Sequence, residues 1–304
     1  MGVSPARTGA GKGLPGPARG RLVLEDVERD AIARVVEQGL AEDVGDGDVT
    51  SIGTVPEDAL CTARIVVKER GVVAGVPVAR AVFEALDASL QLEETAADGT
   101  RVGEADAPFE VLRIAGSARS VLAAERLALN LLGRLSGIAS ATRTYVDAIE
   151  GTGATILDTR KTTPGLRALE KYAVRCGGGA NHRFGLDDGI LVKDNHLLVA
   201  GGVAAAVRGL RAVSDLPIEV EVETLDELAE ALDARVDRVL LDNMPPSLMR
   251  EAVACCKGRA STEASGGITL ATVREVAETG VDFISIGALT HSVRSLDVSL
   301  EVVL

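Results

Sequence analysis

Between Ala154 and Thr290 six short apolar runs, ATILDTRK, GILVKDNH, IEVEVET, RVLLDN, STEASGG and FISIGALT, each end in polar residues and each lead into a helical segment. Their polar ends, near Asp158, Lys193, Glu221, Asp242, Ser265 and Gly287, lie roughly 20 to 35 residues apart, the spacing of consecutive βα units. Such a repeat predicts a parallel sheet covered by helices. Of 304 residues only 2% are aromatic, and the apolar content is mostly Val, Leu, Ile and Ala, as doubly covered parallel strands require. A doubly wound sheet would show one glycine-rich phosphate loop after its first strand, and none is present. Polar residues at the end of every strand instead suit a β/α barrel, whose sites form at the C-terminal face. Six units rather than eight imply an incomplete barrel, its open side closed by another domain or a partner subunit.

The preceding half reads differently. Residues 1–20 are rich in Gly, Pro, Ala and basic residues, lack the apolar core of a signal peptide, and are read as a disordered tail. From Leu22 helical spacing places Val27, Ile32, Val35, Val36 and Leu40 on one face. The turn Gly45–Ser51 carries acids that could bind a metal, but Gly, Asp and Ser are what a turn requires, and a simple turn is the expected reading. Strand-like runs follow at Ala63–Pro77 and Pro108–Ala118, separated by a helical piece at Val78–Leu86, which indicates an α+β domain. Residues 119–150 read as one or two helices interrupted around Gly133 and Gly137. Arg126 and Arg134 lie within this apolar segment, where a lone arginine usually snorkels to the surface. The final SLDVSLEVVL alternates, so a strand is expected to return to the first domain. The expected division is therefore an N-terminal domain over 21–135, joined by 291–304, and a catalytic barrel over 136–290.

Charge points to the ligand class. The chain carries a formal −13, yet the window from Ile156 to His196 holds seven Lys or Arg against five acids, 7 − 5 = +2. A cationic pocket in an acidic protein suits a small polyanion, whereas nucleic acid or an anionic membrane would have to bind against the overall field. No apolar run reaches the roughly 18 to 20 residues of a membrane-spanning helix, so a soluble protein is expected. The cysteines, Cys61, Cys176, Cys255 and Cys256, form no CxxC pair and suggest reduced thiols in the cytoplasm, with Cys176 set apart by its place beside Gly177–Gly179.

At the strand ends Arg160, Lys161, Arg183 and Lys193 offer forked and point-charge partners for carboxylates. The alternative is structural pairing with Asp158, Asp187 and Asp194. Ser265, Gly266, Gly267 and Gly287, Ala288 precede helices, where backbone N–H groups and a helix N-terminus favour phosphate. Glu221 and Asp242 suit either Mg²⁺ or ribose hydroxyls, and period-two spacing leaves Glu219 and Glu223 as equal candidates.

The segment DTRKTTPGLRALEKYAVRCGGGANHRFGLDDGILVKDNH resembles the core signature of the quinolinate phosphoribosyltransferase family, and the likeness continues through AEDVGDGDVTS, AERLALNLLGRLSGIAS, EVEVET, VLLDNM, EASGGI and ISIGALTHS. It covers nearly everything from Leu22 onward, with the basic tail outside the pattern. The resemblance implies an N-terminal α/β sandwich domain with an open six-stranded β/α barrel. The implied activity joins quinolinate to phosphoribosyl pyrophosphate, giving nicotinate mononucleotide, pyrophosphate and CO₂ with Mg²⁺, in NAD biosynthesis. It further implies a homodimer in which Arg126 reaches the neighbour's site. Thr159, Arg160, Lys161, His182, Arg183 and Lys193 would hold quinolinate; Glu221 and Asp242 would face ribose and metal; Ser265, Gly266, Gly267, Ile286, Gly287 and Ala288 would take the 5′-phosphate. Lys161, Lys193, Glu221 and Asp242 would be the catalytic members. A relative acting on another nitrogen-heterocyclic carboxylate, or a non-catalytic sensor on the same scaffold, are the competing readings.

Overall fold

The structure is a computed structural model that describes residues 23–303; the tail expected at residues 1–20 lies outside them. Helix α1 (Asp26–Asp43) buries Ala31, Ile32 and Val36. The turn expected over Gly45–Ser51 is helical from Val49, where α2 (Val49–Thr54) begins, and Asp48 accepts hydrogen bonds from the backbone N–H groups of Thr50 and Ser51. Asp48 is thereby a helix cap, which satisfies the free N–H groups that open a helix. Strands β1 (Leu60–Val67) and β2 (Gly71–Val72) precede α3 (Val76–Leu86). Next come β3 (Gln91–Glu94), β4 (Arg101–Val102) and β5 (Phe109–Ser117). The single expected strand over Ala63–Pro77 is thus broken, and β3 and β4 had too few apolar residues to stand out in the sequence.

Helix α4 (Ala118–Ala148) is continuous, so the interruption expected around Gly133 and Gly137 does not occur. Those glycines serve close packing instead. A Cβ at Gly133 would lie 3.0 Å from the backbone oxygen of Leu296, and one at Gly137 would strike the carbonyl of Arg294. The segment that returns the chain to the first sheet thus lies directly on the helix, and Leu296 donates its N–H to the Gly133 carbonyl at 2.9 Å. That contact offsets the ~1 kcal/mol each glycine costs a helix relative to alanine. The boundary expected between residues 135 and 136 falls inside this one helix.

The barrel follows in chain order: β6 (Thr155–Leu157), α5 (Arg167–Cys176), β7 (Ile190–Val192), α6 (Asp194–Ala200), α7 (Val203–Arg211), β8 (Ile218–Val222), α8 (Leu225–Asp233) and β9 (Arg238–Asp242). It continues through α9 (Pro246–Cys256), β10 (Ser261–Ser265), α10 (Val273–Ala277), β11 (Phe283–Ser285) and α11 (Ala288–His291), and the chain ends in β12 (Val298–Val303). The six parallel strands, one for each apolar run, are ordered β6-β11-β10-β9-β8-β7. Strands β6 and β7, consecutive in the chain, therefore form the two free edges of an open barrel. The returning strand β12 pairs antiparallel with β1, from Thr62 opposite Val303 to Val67 opposite Val298, in a four-stranded sheet ordered β12-β1-β5-β3.

Alternation along the barrel strands decides what faces the interior. In β8, Ile218, Val220 and Val222 are fully buried on one side, and Glu219 and Glu221 take the other. Glu219 is opposite Arg238 on β9, Glu221 opposite Leu240, and Asp242 opposite Ser265 on β10. The acids predicted at strand ends thus stand in adjacent rows at one mouth of the barrel.

Candidate active site

A cavity of about 680 Å³ opens at the C-terminal ends of the barrel strands. Thr159, Arg160, Lys161, His182, Arg183, Lys193, Glu221, Asp242, Ser265, Gly266, Gly267, Ile286, Gly287 and Ala288 all line it. Arg126 does not: its side chain on α4 is 65% exposed and only approaches Glu125, at 4.0 Å. Arg134, on the same helix, bonds the buried carboxylate of Glu170 and the carbonyl of Thr290, tying α4 to α5 and α11.

The cations converge because the chain crosses the open seam. After α5, Ala180 forms a parallel bridge with Leu157, patching the free edge of β6. Asp158, fully buried, holds this patch: it accepts from Lys171 Nζ at 2.5 Å, from the His182 N–H at 2.9 Å and from Asn181 Nδ2 at 2.6 Å. Burial pushes the Asp158 carboxyl up and the Lys171 amine down, each partly offset by the other's charge. His182 and Arg183 are thereby delivered beside Arg160. Among the described residues Arg160 and Lys161 make no ion pair, and the Arg160 Nε is buried without a partner. Arg183 is held below the usual guanidinium range, first by burial and next by the positive charge of Arg160. Two like charges, partly desolvated and forming no ion pair among the described residues, are available to an anion. Of the acids named as alternative partners, Asp158 is spent on Lys171, and Asp187 and Asp194 form no ion pair among the described residues; of the four cations only Lys193 is paired, with Glu221.

Of the three glutamates left open by spacing, Glu221 faces the cavity, Glu223 sits past the strand with its N–H bonded to Glu227, and Glu219 is buried deeper, 3.1 Å from His182 Nε2. Glu263 lies opposite it, 3.5 Å from the same nitrogen. Burial first, then its neighbour's charge, pushes Glu263 up to about 7; burial likewise raises Glu219 to about 7 and lowers His182. The other histidine of the window, His196, stays outside the cavity and accepts the Lys193 N–H through Nδ1 at 3.0 Å, closing the first turn of α6.

On the far wall Gly266 (φ +95°) and Gly267 (φ +61°) adopt left-handed conformations that L side chains rarely take, and a Cβ on Gly266 would collide with the Asn243 side chain. The turn leaves its backbone open to the cavity. The helix field expected there is weak, because α10 starts only at Val273 and α11 is a single turn. What this wall offers an anion is the glycine backbone itself.

Sequence reasoning missed Leu191, Leu240, Asn243, Glu263, Ile268, Thr269, Ser285 and His291, all of which line the cavity. Period-two spacing back from Lys193, Asp242, Ser265 and Gly287 reaches Leu191, Leu240, Glu263 and Ser285, so that signal was available. His291, beside Gly287, carried none. The cysteines are free; Cys176 is buried, and burial pushes its thiol up, so it is no nucleophile.

Family models describing the quinolinate phosphoribosyl transferase N-terminal and C-terminal domains match residues 48–136 and 138–301. The nicotinate-nucleotide pyrophosphorylase [carboxylating] of Mycobacterium leprae is 44% identical over 286 residues, covering 92% of this chain and all of that protein. Quinolinate phosphoribosyltransferase [decarboxylating] 1b of Nicotiana tabacum is 42% identical over 289 residues, 88% of this chain and 81% of that one. Among solved structures, the nicotinate-nucleotide pyrophosphorylase of Francisella tularensis superposes with a TM-score of 0.86 at 41% identity, over 90% of this chain and 96% of that one. With both domain models matched in order, and a cavity lined by arginine and lysine at the mouth of an open six-stranded barrel, the chain belongs to the quinolinate phosphoribosyltransferase family.

Proposed function

We propose that the chain joins quinolinate to phosphoribosyl pyrophosphate and releases pyrophosphate and CO₂, forming nicotinate mononucleotide for NAD biosynthesis in the cytoplasm. The observation that carries this is the facing of two subsites in one cavity: uncompensated Arg160 and Arg183 on one wall, and the open backbone of Gly266–Gly267 on the other. A dicarboxylate suits the first and a sugar phosphate the second.

Thr159, Arg160, Lys161, His182, Arg183 and Lys193 surround the quinolinate carboxylates; Ser265, Gly266, Gly267, Ile286, Gly287 and Ala288 enclose the 5′-phosphate. The pyridine nitrogen gives its lone pair to ribose C1 as the C1–O bond to pyrophosphate breaks, its electrons leaving on oxygen. Glu221 and Asp242 lie where positive charge builds on the ribose and would stabilise it. The C2–carboxylate bond then breaks, its electron pair remains on C2 beside the cationic ring nitrogen, and a proton from solvent takes that pair. Holding both substrates in line, Lys161 and Lys193 offset negative charge on the departing pyrophosphate.

Mg²⁺ fits the oxygen donors at the ends of β8 and β9. Among the described residues Asp242 bonds only Asn243 Nδ2 through its side chain, at 2.7 Å, and Glu221 would exchange Lys193 for the ion. The His182–Glu219–Glu263 cluster, with a nitrogen donor and Arg238 alongside, suits a hard cation less well. When bound by Glu221 and Asp242, Mg²⁺ would supply charge neutralisation for the leaving pyrophosphate.

Purified protein given quinolinate, phosphoribosyl pyrophosphate and Mg²⁺ is expected to form nicotinate mononucleotide and CO₂ in equal amounts; no product at saturating substrate removes the proposal. Arg126, exposed and outside its own cavity, is the residue proposed to serve a partner's site in a homodimer. Inactive Arg126→Ala and Lys193→Ala proteins, dissociated and reassociated together, are then expected to recover about a quarter of wild-type activity, since half the dimers are mixed and each has one intact site. Chromatography and assay of the mixture check this, and activity no higher than either parent sinks the shared site.

A further inference from the structure

His182 and Arg183 stand between two cavities. Each lines both the catalytic cavity and a second one of about 680 Å³ below it, which reaches Glu219, Arg238 and Phe283. His182 is held through its backbone and its Nδ1. Its N–H donates to Asp158 Oδ1 at 2.9 Å, its carbonyl accepts from Lys171 Nζ at 3.0 Å, and its Nδ1 accepts the N–H of Arg183 at 2.7 Å. With Nδ1 accepting, the ring proton sits on Nε2. That nitrogen faces Glu219 Oε2 at 3.1 Å and Glu263 Oε1 at 3.5 Å. Glu263 is anchored in turn by Arg238 Nη1 at 2.9 Å, and the Arg238 guanidinium lies 3.9 Å over the Phe283 ring. Nε2 is buried and makes no hydrogen bond to either acid, so the carboxylates orient the imidazole by proximity rather than by a directed bond, and its Nδ1 holds the backbone of the residue that carries the Arg183 guanidinium.

We infer that Glu263, together with Glu219, is a positioning residue for quinolinate, acting through His182 on Arg183. The inference rests on the carboxylate subsite proposed above and extends it to two acids that need not touch substrate. Displacing Arg183 by about 1 Å is enough to lose a bidentate carboxylate bond. Glu263 also bonds Ser285 on the sugar-phosphate side, but His182 and Arg183 belong to the carboxylate wall, so quinolinate should respond far more than phosphoribosyl pyrophosphate.

Glu263→Gln preserves size and an oxygen toward Arg238 but puts an amide donor where an oxygen faced His182 Nε2. Steady-state kinetics are expected to show KM for quinolinate raised about tenfold, with KM for phosphoribosyl pyrophosphate and kcat within about threefold of wild type. In an Arg183→Lys background the same change should add little, because both act on one contact. Calorimetric binding of quinolinate follows the same pattern whether or not turnover occurs, so a failure of the proposed reaction is distinguishable from a failure of this inference. Glu219→Gln, with the same expected direction, supplies the test should Glu263→Gln not fold. An unchanged quinolinate affinity, an equal loss for both substrates, full additivity with Arg183→Lys, or a stoichiometric metal held by the three side chains would each overturn it.

Discussion

Arg160→Ala is expected to lower kcat/KM for quinolinate by about 10²-fold or more and to leave KM for phosphoribosyl pyrophosphate within about threefold. The guanidinium comes from the turn after β6, where its backbone carbonyl accepts from Arg167 Nη2 at 3.3 Å, so its place is set before any ligand arrives. Its Nε is buried and unpaired, and its charge adds to burial in holding the Arg183 guanidinium below its usual range. A bound carboxylate relieves both costs. Truncating one partner of such a desolvated pair costs about 2–5 kcal/mol, and each ~1.4 kcal/mol is a tenfold rate change. Arg160→Lys is expected to recover only part of the loss, since an ammonium cannot reproduce the planar fork. Initial-rate measurements with each substrate varied provide the check; quinolinate kcat/KM within threefold of wild type for Arg160→Ala would remove the carboxylate assignment.

The second large effect is on stability. Lys171→Met leaves Asp158 with no cation inside the barrel seam, at an expected cost of about 3–5 kcal/mol. For a chain of this size that is a fall in Tm of about 5–10 °C. In the variant the Asp158 carboxyl titrates in the folded state above its unfolded value, more so than in the wild type, where burial already raises it. A raised folded value contributes stability that is present below the unfolded value and lost as pH rises through the folded one. The deficit should therefore be larger at pH 8 than at pH 5. Asp158→Asn combined with Lys171→Met should recover much of it, because an apolar or neutral replacement of both partners removes the lone buried charge. Thermal melts of the three proteins at both pH values test this, and a Lys171→Met variant within about 1 kcal/mol of wild type would contradict it. Activity should fall with stability, since the same carboxylate holds the His182 N–H.

These residues show where a sequence is informative. Arg160, Lys161 and Lys193 stand out as charges at the ends of apolar runs, and their strands place them as that pattern demands. Glu263 follows the same period-two rule from Ser265 but reads as an ordinary polar residue, because burial and the approach of His182 are absent from the string. Lys171, one turn into a helix with Glu170 beside it, looks like a solvated helix face; it is 2% exposed. Gly137 reads as a helix breaker until the C-terminal segment is laid across it.

By itself the sequence determined the number of barrel strands, the polar residues at their ends, the return of β12 and the family, all of which are periodic or contiguous along the chain. Only the tertiary structure decided that the barrel opens between β6 and β7, that α4 is one helix, that Arg126 lies outside its own cavity, and that His182 turns toward Glu219 and Glu263. Those features depend on which distant segments meet. Alternation specifies a face for each side chain, but strand neighbours and buried ion partners follow from burial of the whole surface at once.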